Sequence, residues 1–210
     1  MARTIVETVK RPDGKTAAIL YSDGCIRIDY VRASYPHVDK PWAKNEQDRP
    51  KFSITGLADK TTHGAVKDLL VRQINAVLKD KQMGKIGSEH KFCRDGDDSG
   101  KDEAEGMWVI KASENPENQP AVRNAKGALI TDAAAINKLI YPGCYVNILI
   151  RPWGQDNKHG KKVNANLVGV QYAGEGERFG EASLDDEDVW EELESEDLGA
   201  SGLDDDDDDL

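Results

Sequence analysis

The chain has 210 residues, three cysteines, and 39 Asp or Glu against 28 Lys or Arg, a formal net charge of −11. That length supports one domain with an appendage or at most two small domains, and a body of this size buries a core without disulfide staples. Cys25, Cys93 and Cys144 are too scattered for a disulfide framework, no apolar run approaches the roughly 20 residues of a membrane span, and the first residues lack the apolar stretch of a signal peptide, so the expected setting is a reducing cytoplasm with no membrane partner.

Residues 3–24 read as a β-hairpin. Thr4–Val9 leads into the turn signal Arg11-Pro12-Asp13-Gly14 and then Thr16–Tyr21. After a turn at Ser22-Asp23-Gly24, Cys25–Arg32 alternates: Ile26, Ile28 and Tyr30 on one face, Arg27, Asp29 and Val31 on the other. Tyr35-Pro36-His37 should end that strand, and residues 38–50, with Pro41 and Pro50, should form a loop. Lys51–Leu57 alternates again, with Phe52 and Ile54 facing one way. From Gly64 to Lys81, Val66, Leu69, Leu70, Ile74, Val77 and Leu78 recur at three- and four-residue steps, the apolar stripe of a helix packed on a sheet.

Residues 82–106 are rich in Gly, Ser, Asp and Lys and read as a long functional or mobile loop. Met107–Ser113 is a strand, 115–127 an excursion and Ala133–Leu139 a short helix; Cys144–Trp153 and Val163–Tyr172 are strands around a basic turn, Gly154–Lys162. Five body strands with one amphipathic helix between the second and third make a mainly β fold, an OB-like five-stranded barrel. The expected organisation is an N-terminal β-hairpin at 1–24, the barrel at 25–175 and a disordered acidic tail at 176–210.

The tail reverses the sign of the protein. Residues 181–210 hold sixteen acids and no Lys or Arg, so residues 1–180 carry 23 acids against all 28 bases, a formal +5. A basic body joined to a polyanion points to nucleic acid as the partner to test. Within the tail, Leu184, Val189, Trp190, Leu193 and Leu198 are too few to offset the entropy of ordering, although their spacing suits a helix formed on a partner. The closing Asp204, Asp205, Asp206, Asp207, Asp208, Asp209 and Leu210 read either as a solubilising extension or as an end that a partner protein recognises.

Enzyme signatures fail on spacing. Gly154–Gly160-Lys161 is one residue too long for a phosphate loop, and Lys162 stands where Ser or Thr must hold magnesium. His90 and Cys93 are one metal-compatible pair without the second pair a structural zinc site needs. Asp95, Asp97, Asp98, Asp102, Glu103 and Glu105 suit a solvated surface, with a metal-dependent nuclease as the rival reading. A second rival is a DNA-mimicking decoy acting through the acidic tail. No catalytic residue, metal or cofactor is assigned.

What remains is a repeated pairing of aromatic and basic residues: Arg32 with Tyr35, Lys40 with Trp42, Lys51 with Phe52, Trp108 with Lys111, Arg151 with Trp153, then Lys158, Lys161 and Lys162. Single strands require both kinds, cations along the phosphates and flat rings for unpaired bases. Set in order, Arg32-Ala33-Ser34-Tyr35-Pro36-His37, Lys51-Phe52-Ser53-Ile54, Cys93-Arg94-Asp95-Gly96-Asp97, Trp108–Ser113, Tyr141-Pro142-Gly143-Cys144-Tyr145-Val146 and Ala165–Gln171 make the chain resemble the single-stranded DNA-binding proteins of tailed bacteriophages.

The resemblance implies an OB-fold that coats single strands during replication, recombination or repair in the cytoplasm of an infected bacterium, without catalysis. In T7-type relatives a polyacidic tail occludes the DNA groove and contacts replication enzymes; here the tip is Leu210 instead of an aromatic ring. The resulting expectation is that Tyr35, Trp42, Trp108 and Trp153 stack on bases. Arg32, Lys51, Arg94, Arg151, Lys158, Lys161 and Lys162 should follow phosphates, and Asp204–Leu210 should bind replication or recombination proteins. A homodimer is left open.

Overall fold

The computed structural model describes residues 3–180; the acidic stretch 181–210, including Asp204–Leu210 and the expectation of disorder there, lies outside the described residues. In chain order the elements are β1 (Ile5–Lys10), β2 (Thr16–Tyr21), β3 (Ile26–Trp42), β4 (Lys51–Asp59), α1 (Gly64–Asp80), β5 (Cys93–Asp95), β6 (Met107–Glu114), β7 (Ala121–Arg123), β8 (Leu129–Ile130), α2 (Ala133–Leu139), β9 (Tyr145–Asn157) and β10 (Gly160–Gly174). β3 pairs antiparallel with β4 and with β9, β4 with β6, and β9 with β10. A parallel bridge from Asn166 on β10 to Ser113 on β6 closes the ring. The strand order β3-β4-β6-β10-β9 is that of an OB-like barrel. β1 and β2 extend the sheet from β3, and β7 and β8 extend it from β10.

Alternation puts Ile26 and Ile28 of β3, Ile54 of β4, Ile110 of β6, Ile148 and Ile150 of β9 and Leu167 of β10 inside, each at most 1% exposed. The helical stripe lands as the sequence requires: Val66, Leu69, Leu70 and Ile74 of α1 join the same cluster, with Val77 and Leu78 at its margin. Each such side chain contributes roughly 1.5–3 kcal/mol on burial. α1 begins at His63, which is buried between the helix and β3. Its Nε2–H donates to the Asp29 carbonyl at 2.9 Å, and Nδ1 accepts from the Thr62 hydroxyl at 2.8 Å.

The long strands depart from simple alternation. Tyr30 takes φ 59° and Tyr35 φ 47°, left-handed values uncommon for tyrosine, and the pairing register shifts at both points. Each acts as a bulge that reverses the phase of the pleat. Tyr30, expected on the face of Ile26 and Ile28, therefore points to solvent, and Val31 turns inward. Tyr35 does not end β3; the strand bends there and continues to Trp42, taking up part of the expected 38–50 loop. The basic turn 154–162 is likewise mostly strand. β9 and β10 run on past the barrel as a ribbon whose tip is Lys158-His159. Residues 82–106 fold into β5 and three short 3-10 turns.

The body also extends beyond residue 175. The Tyr141 hydroxyl donates to the Gly176 carbonyl and accepts from the Gly176 N–H, both at 3.1 Å. Arg178 lies 4.3 Å from the centre of the Tyr141 ring, and the Phe179 N–H donates to the Pro142 carbonyl at 3.1 Å. Phe179 packs on Leu57, Ala104 and Val109. Residues 176–180, assigned from sequence to the tail, are thus a strap on the barrel. Aromatic and backbone contacts hold it, and charge composition does not reveal those.

Gly143 meets this strap at φ 101°, and a Cβ there would lie 2.0 Å from the Glu177 carbonyl oxygen. Gly143→Ala should therefore lower stability by more than about 1 kcal/mol in urea unfolding, since both backbone and space refuse the methyl. A second expectation concerns acid. Burial holds the His63 pKa below that of an ordinary histidine, and burial does the same to His37. The folded state then takes up protons less readily than the unfolded chain, whose histidines titrate near about 6.5. The stability is fully present above that pH and is lost as the pH falls below it. Thermal melts should show this loss, and His63→Gln should make it shallower.

Candidate nucleic-acid interface

A groove of about 660 Å3 crosses the outer face of β4, β6 and β10. Its floor is Ser53, Ile54 and Thr55 of β4, Lys111, Ala112 and Ser113 of β6, and Lys162, Asn164 and Ala165 of β10. Glu89, His90, Lys91, Phe92 and Arg94 wall one side, and Tyr35, Trp42, Lys44 and Lys101 complete the lining. Lys44, Lys91, Arg94, Lys101, Lys111 and Lys162 are six cations against one lining carboxylate, Glu89. Such an excess focuses a positive potential and suits a polyanion.

The aromatic residues are presented deliberately. Tyr35, 56% exposed, projects from the second bulge of β3. Its hydroxyl accepts from Lys101 Nζ at 2.9 Å, and the ammonium lies 4.3 Å from the ring centre. Trp42, 48% exposed, is backed by the His37 ring, with centres 4.6 Å apart and planes 8° from parallel. Burial holds the His37 pKa below that of an ordinary histidine, and its flat ring buttresses Trp42 on one face. Trp153, 41% exposed, pairs with Asn164 and so shares the outward face that Asn164 presents to the groove.

The other expected residues divide. Arg94 and Lys162 line the groove directly. Lys51 stands beside Trp42 in the β3–β4 register, outside the lining. Lys158 and Lys161 are on the β9–β10 ribbon, where Lys161 pairs with Asp156 at 3.4 Å. Three lie elsewhere. Trp108 is partly buried against the core, with the ammoniums of Lys60 and Lys67 at 4.9 and 5.1 Å from its ring centre. Arg32 donates to the carbonyls of Gly143 and Glu177 and lies 4.4 Å over the Phe179 ring, so it holds the strap. Arg151 donates to Asp23 at 3.3 Å beside the N-terminal hairpin. Lys44, Lys91, Lys101 and Lys111 also line the groove, although the sequence pattern assigns none of them to phosphates. Only Lys44, two residues after Trp42, and Lys111, between inward Ile110 and Ala112, left a local signal.

The acidic loop is neutralised from within. Lys60 Nζ donates to both Asp95 and Asp97, at 2.6 Å to the latter, and Asp97 also accepts from the Gly106 N–H at 2.7 Å. The Lys60 ammonium holds the Asp97 carboxyl below the usual range. A nuclease would need these carboxylates for metal. Among the described residues no group of three or more His, Cys, Asp or Glu is arranged to hold an ion. Burial pushes the Cys93 thiol up to about 12, away from the thiolate that zinc requires.

Lys111 carries the electrostatic signature of the groove. Burial first, then the neighbouring charges of Arg94 and Lys101, lower its pKa. A larger fraction of its amine is thus unprotonated at mildly alkaline pH. Trace labelling with an amine-reactive reagent should modify Lys111 faster than Lys44, and a bound polyanion should suppress that difference.

Comparison with known proteins follows the same lines. Residues 25–199 match the family model described as Enterobacter phage Enc34, ssDNA-binding protein. The single-stranded DNA-binding protein of bacteriophage Enc34, solved in complex with ssDNA, is 40% identical, with a TM-score of 0.77 over 85% of this chain and 98% of that one. Putative protein p50 of Acyrthosiphon pisum secondary endosymbiont phage 1 is 29% identical over 188 residues, 84% of this chain and 99% of its own. The single-stranded DNA-binding protein gp2.5 of bacteriophage T7 shares the fold at 15% identity, with a TM-score of 0.53 over 80% of this chain and 95% of that one. With five-sixths of its length matched in sequence and the barrel matched in space, the chain belongs to the Enc34 phage single-stranded DNA-binding protein family.

Proposed function

We propose that the chain binds single-stranded DNA without sequence preference in the groove across β4, β6 and β10. The observation that carries this reading is the meeting of six cations and two exposed rings, Tyr35 and Trp42, in one groove with a single carboxylate. Phosphates follow Lys44, Lys91, Arg94, Lys101, Lys111 and Lys162. Bases stack on Tyr35, Trp42 and Trp153, with Lys51, Lys158 and Lys161 adding charge at the margins. Nothing in this binding requires catalysis. The relative solved with ssDNA supports the assignment.

In a phage-infected bacterial cytoplasm such a protein coats strands exposed in replication and recombination. The acidic stretch 181–210 competes with DNA for the same cations, and Asp204–Leu210 recruits replication or recombination proteins once DNA displaces it. Both pairings are ionic and weaken with salt.

Gel shifts with single-stranded and duplex oligonucleotides at two salt concentrations test this directly. A chain ending at Gly180 should bind single strands more tightly than the full chain, with a steeper salt slope; equal affinity would remove the tail from the competition. Trp42→Ala and Trp153→Ala should each weaken binding by about 1–3 kcal/mol if their rings stack. Trp108→Ala should act mainly on stability, as its ring lies between Lys60 and Lys67.

A further inference from the structure

Residues 97–106 join β5 to β6 as a loop closed at its neck. There the Asp97 carboxylate accepts from the Gly106 N–H at 2.7 Å, and the Gly96 N–H donates to the Met107 carbonyl at 2.9 Å. Within the loop Ala104 alone is buried, at 2% exposure. It closes the 3-10 turn Asp102–Ala104, and its N–H donates to the Lys101 carbonyl at 3.0 Å. Lys101 is the one residue of the loop that lines the groove, and its ammonium holds the Tyr35 hydroxyl. Two cavities adjoin the loop. One, of about 100 Å3, is lined by Tyr35, Lys101 and Lys111, which also line the groove, and by Leu57, Ala104 and Val109. The other, of about 580 Å3, is lined in part by Tyr35, Asp102, Glu103 and Phe179. With open space beside it and one methyl group buried, the loop has little packing of its own to fix it.

What fixes it comes from the strap. Ala104, Leu57 and Val109 form a small apolar cluster separate from the main core, and Phe179 packs on it. The Arg32 guanidinium covers the Phe179 ring at 4.4 Å and is itself anchored by the carbonyls of Gly143 and Glu177. We propose that Phe179 is a positioning residue for DNA binding: seated on Ala104, it holds the 97–106 loop so that Lys101 and Tyr35 face the groove. The proposal rests on the groove reading of Lys101. Phe179 carries no charge and does not line the groove, so it acts on a bound strand only through the loop. Without its ring the loop shifts into the adjoining space, and Lys101 leaves the path of the phosphates.

The test is the salt dependence of oligothymidylate binding to the full chain, read by fluorescence anisotropy, with circular dichroism confirming that each variant is folded. Loss of one phosphate contact on a single strand flattens the slope of log K against log salt by about 0.7. Lys101→Ala should flatten it by up to that amount. Phe179→Ala removes no charge, yet it should flatten the slope equally, and Phe179→Leu, which keeps an apolar contact with Ala104, should restore it. Adding Phe179→Ala to Lys101→Ala should change the slope no further. Ala104→Gly, which removes the methyl and leaves the strap whole, should act as Phe179→Ala does and carries the same expectations if that variant does not fold. A slope that falls with Lys101→Ala alone, or falls twice as far in the double variant, would overturn the proposal and leave the groove standing. A slope that neither Lys101→Ala nor Phe179→Ala changes would overturn it and take Lys101 off the phosphate path as well.

Discussion

The barrel is closed by one parallel bridge, Asn166 of β10 against Ser113 of β6, and the rest of the molecule is arranged around that seam. Antiparallel pairing is extensive everywhere else in the ring; β9 and β10 pair over nearly their full lengths. At the seam the two strands diverge. Lys91 bridges Val163, the Phe92 N–H donates to the Val163 carbonyl, and the Lys111 N–H donates to the Phe92 carbonyl, so residues 91–95 fill the gap. The filler is basic on its outer side. The groove exists because closure here is made by a wall instead of a ladder, which brings Lys91 and Arg94 beside Lys111 and Lys162.

Presentation of the aromatics depends on a different device. A regular strand would keep every second side chain of β3 inside the barrel, and Tyr30 and Tyr35 would be swept inward or outward by parity alone. Left-handed backbone at both residues, a conformation that costs of order 1–3 kcal/mol, decouples them from the pleat. Tyr35 thereby reaches the groove. Tyr30 instead stacks on Tyr145 at 4.2 Å, and the Tyr145 ring lies 5.4 Å from the Arg32 guanidinium that holds the strap. One bulge therefore serves the candidate binding surface and the other the C-terminal anchor.

Charge is sorted with equal care. The body is only mildly basic, yet the groove concentrates six cations. Acids that could spoil that field are tied elsewhere: Asp95 and Asp97 to Lys60, Asp23 to Arg3 and Arg151, Asp29 to Arg27. The Lys111 pKa is lowered first by burial and then by the neighbouring charges of Arg94 and Lys101.

The sequence by itself determined the alternating core of the barrel, the stripe of α1, the N-terminal hairpin, the short helix at Ala133–Leu139 and the opposition of a basic body to an acidic end. These follow from periodicity and composition, which act over a few neighbouring residues. Tyr35, Trp42, Arg94 and Lys162, which line the groove, were legible because aromatic and basic residues stand close in the chain. Lys111 left a trace beside Trp108, but Lys91 and Lys101 were not legible, since they come from separate segments that meet Lys111 only when β6 and β10 close. Arg32, Arg151 and Trp108 read the same as groove residues in one dimension. Only the tertiary structure decided that Arg32 faces the strap, Arg151 the hairpin and Trp108 two lysines, because bulges and barrel closure set the direction of a side chain that local sequence leaves open.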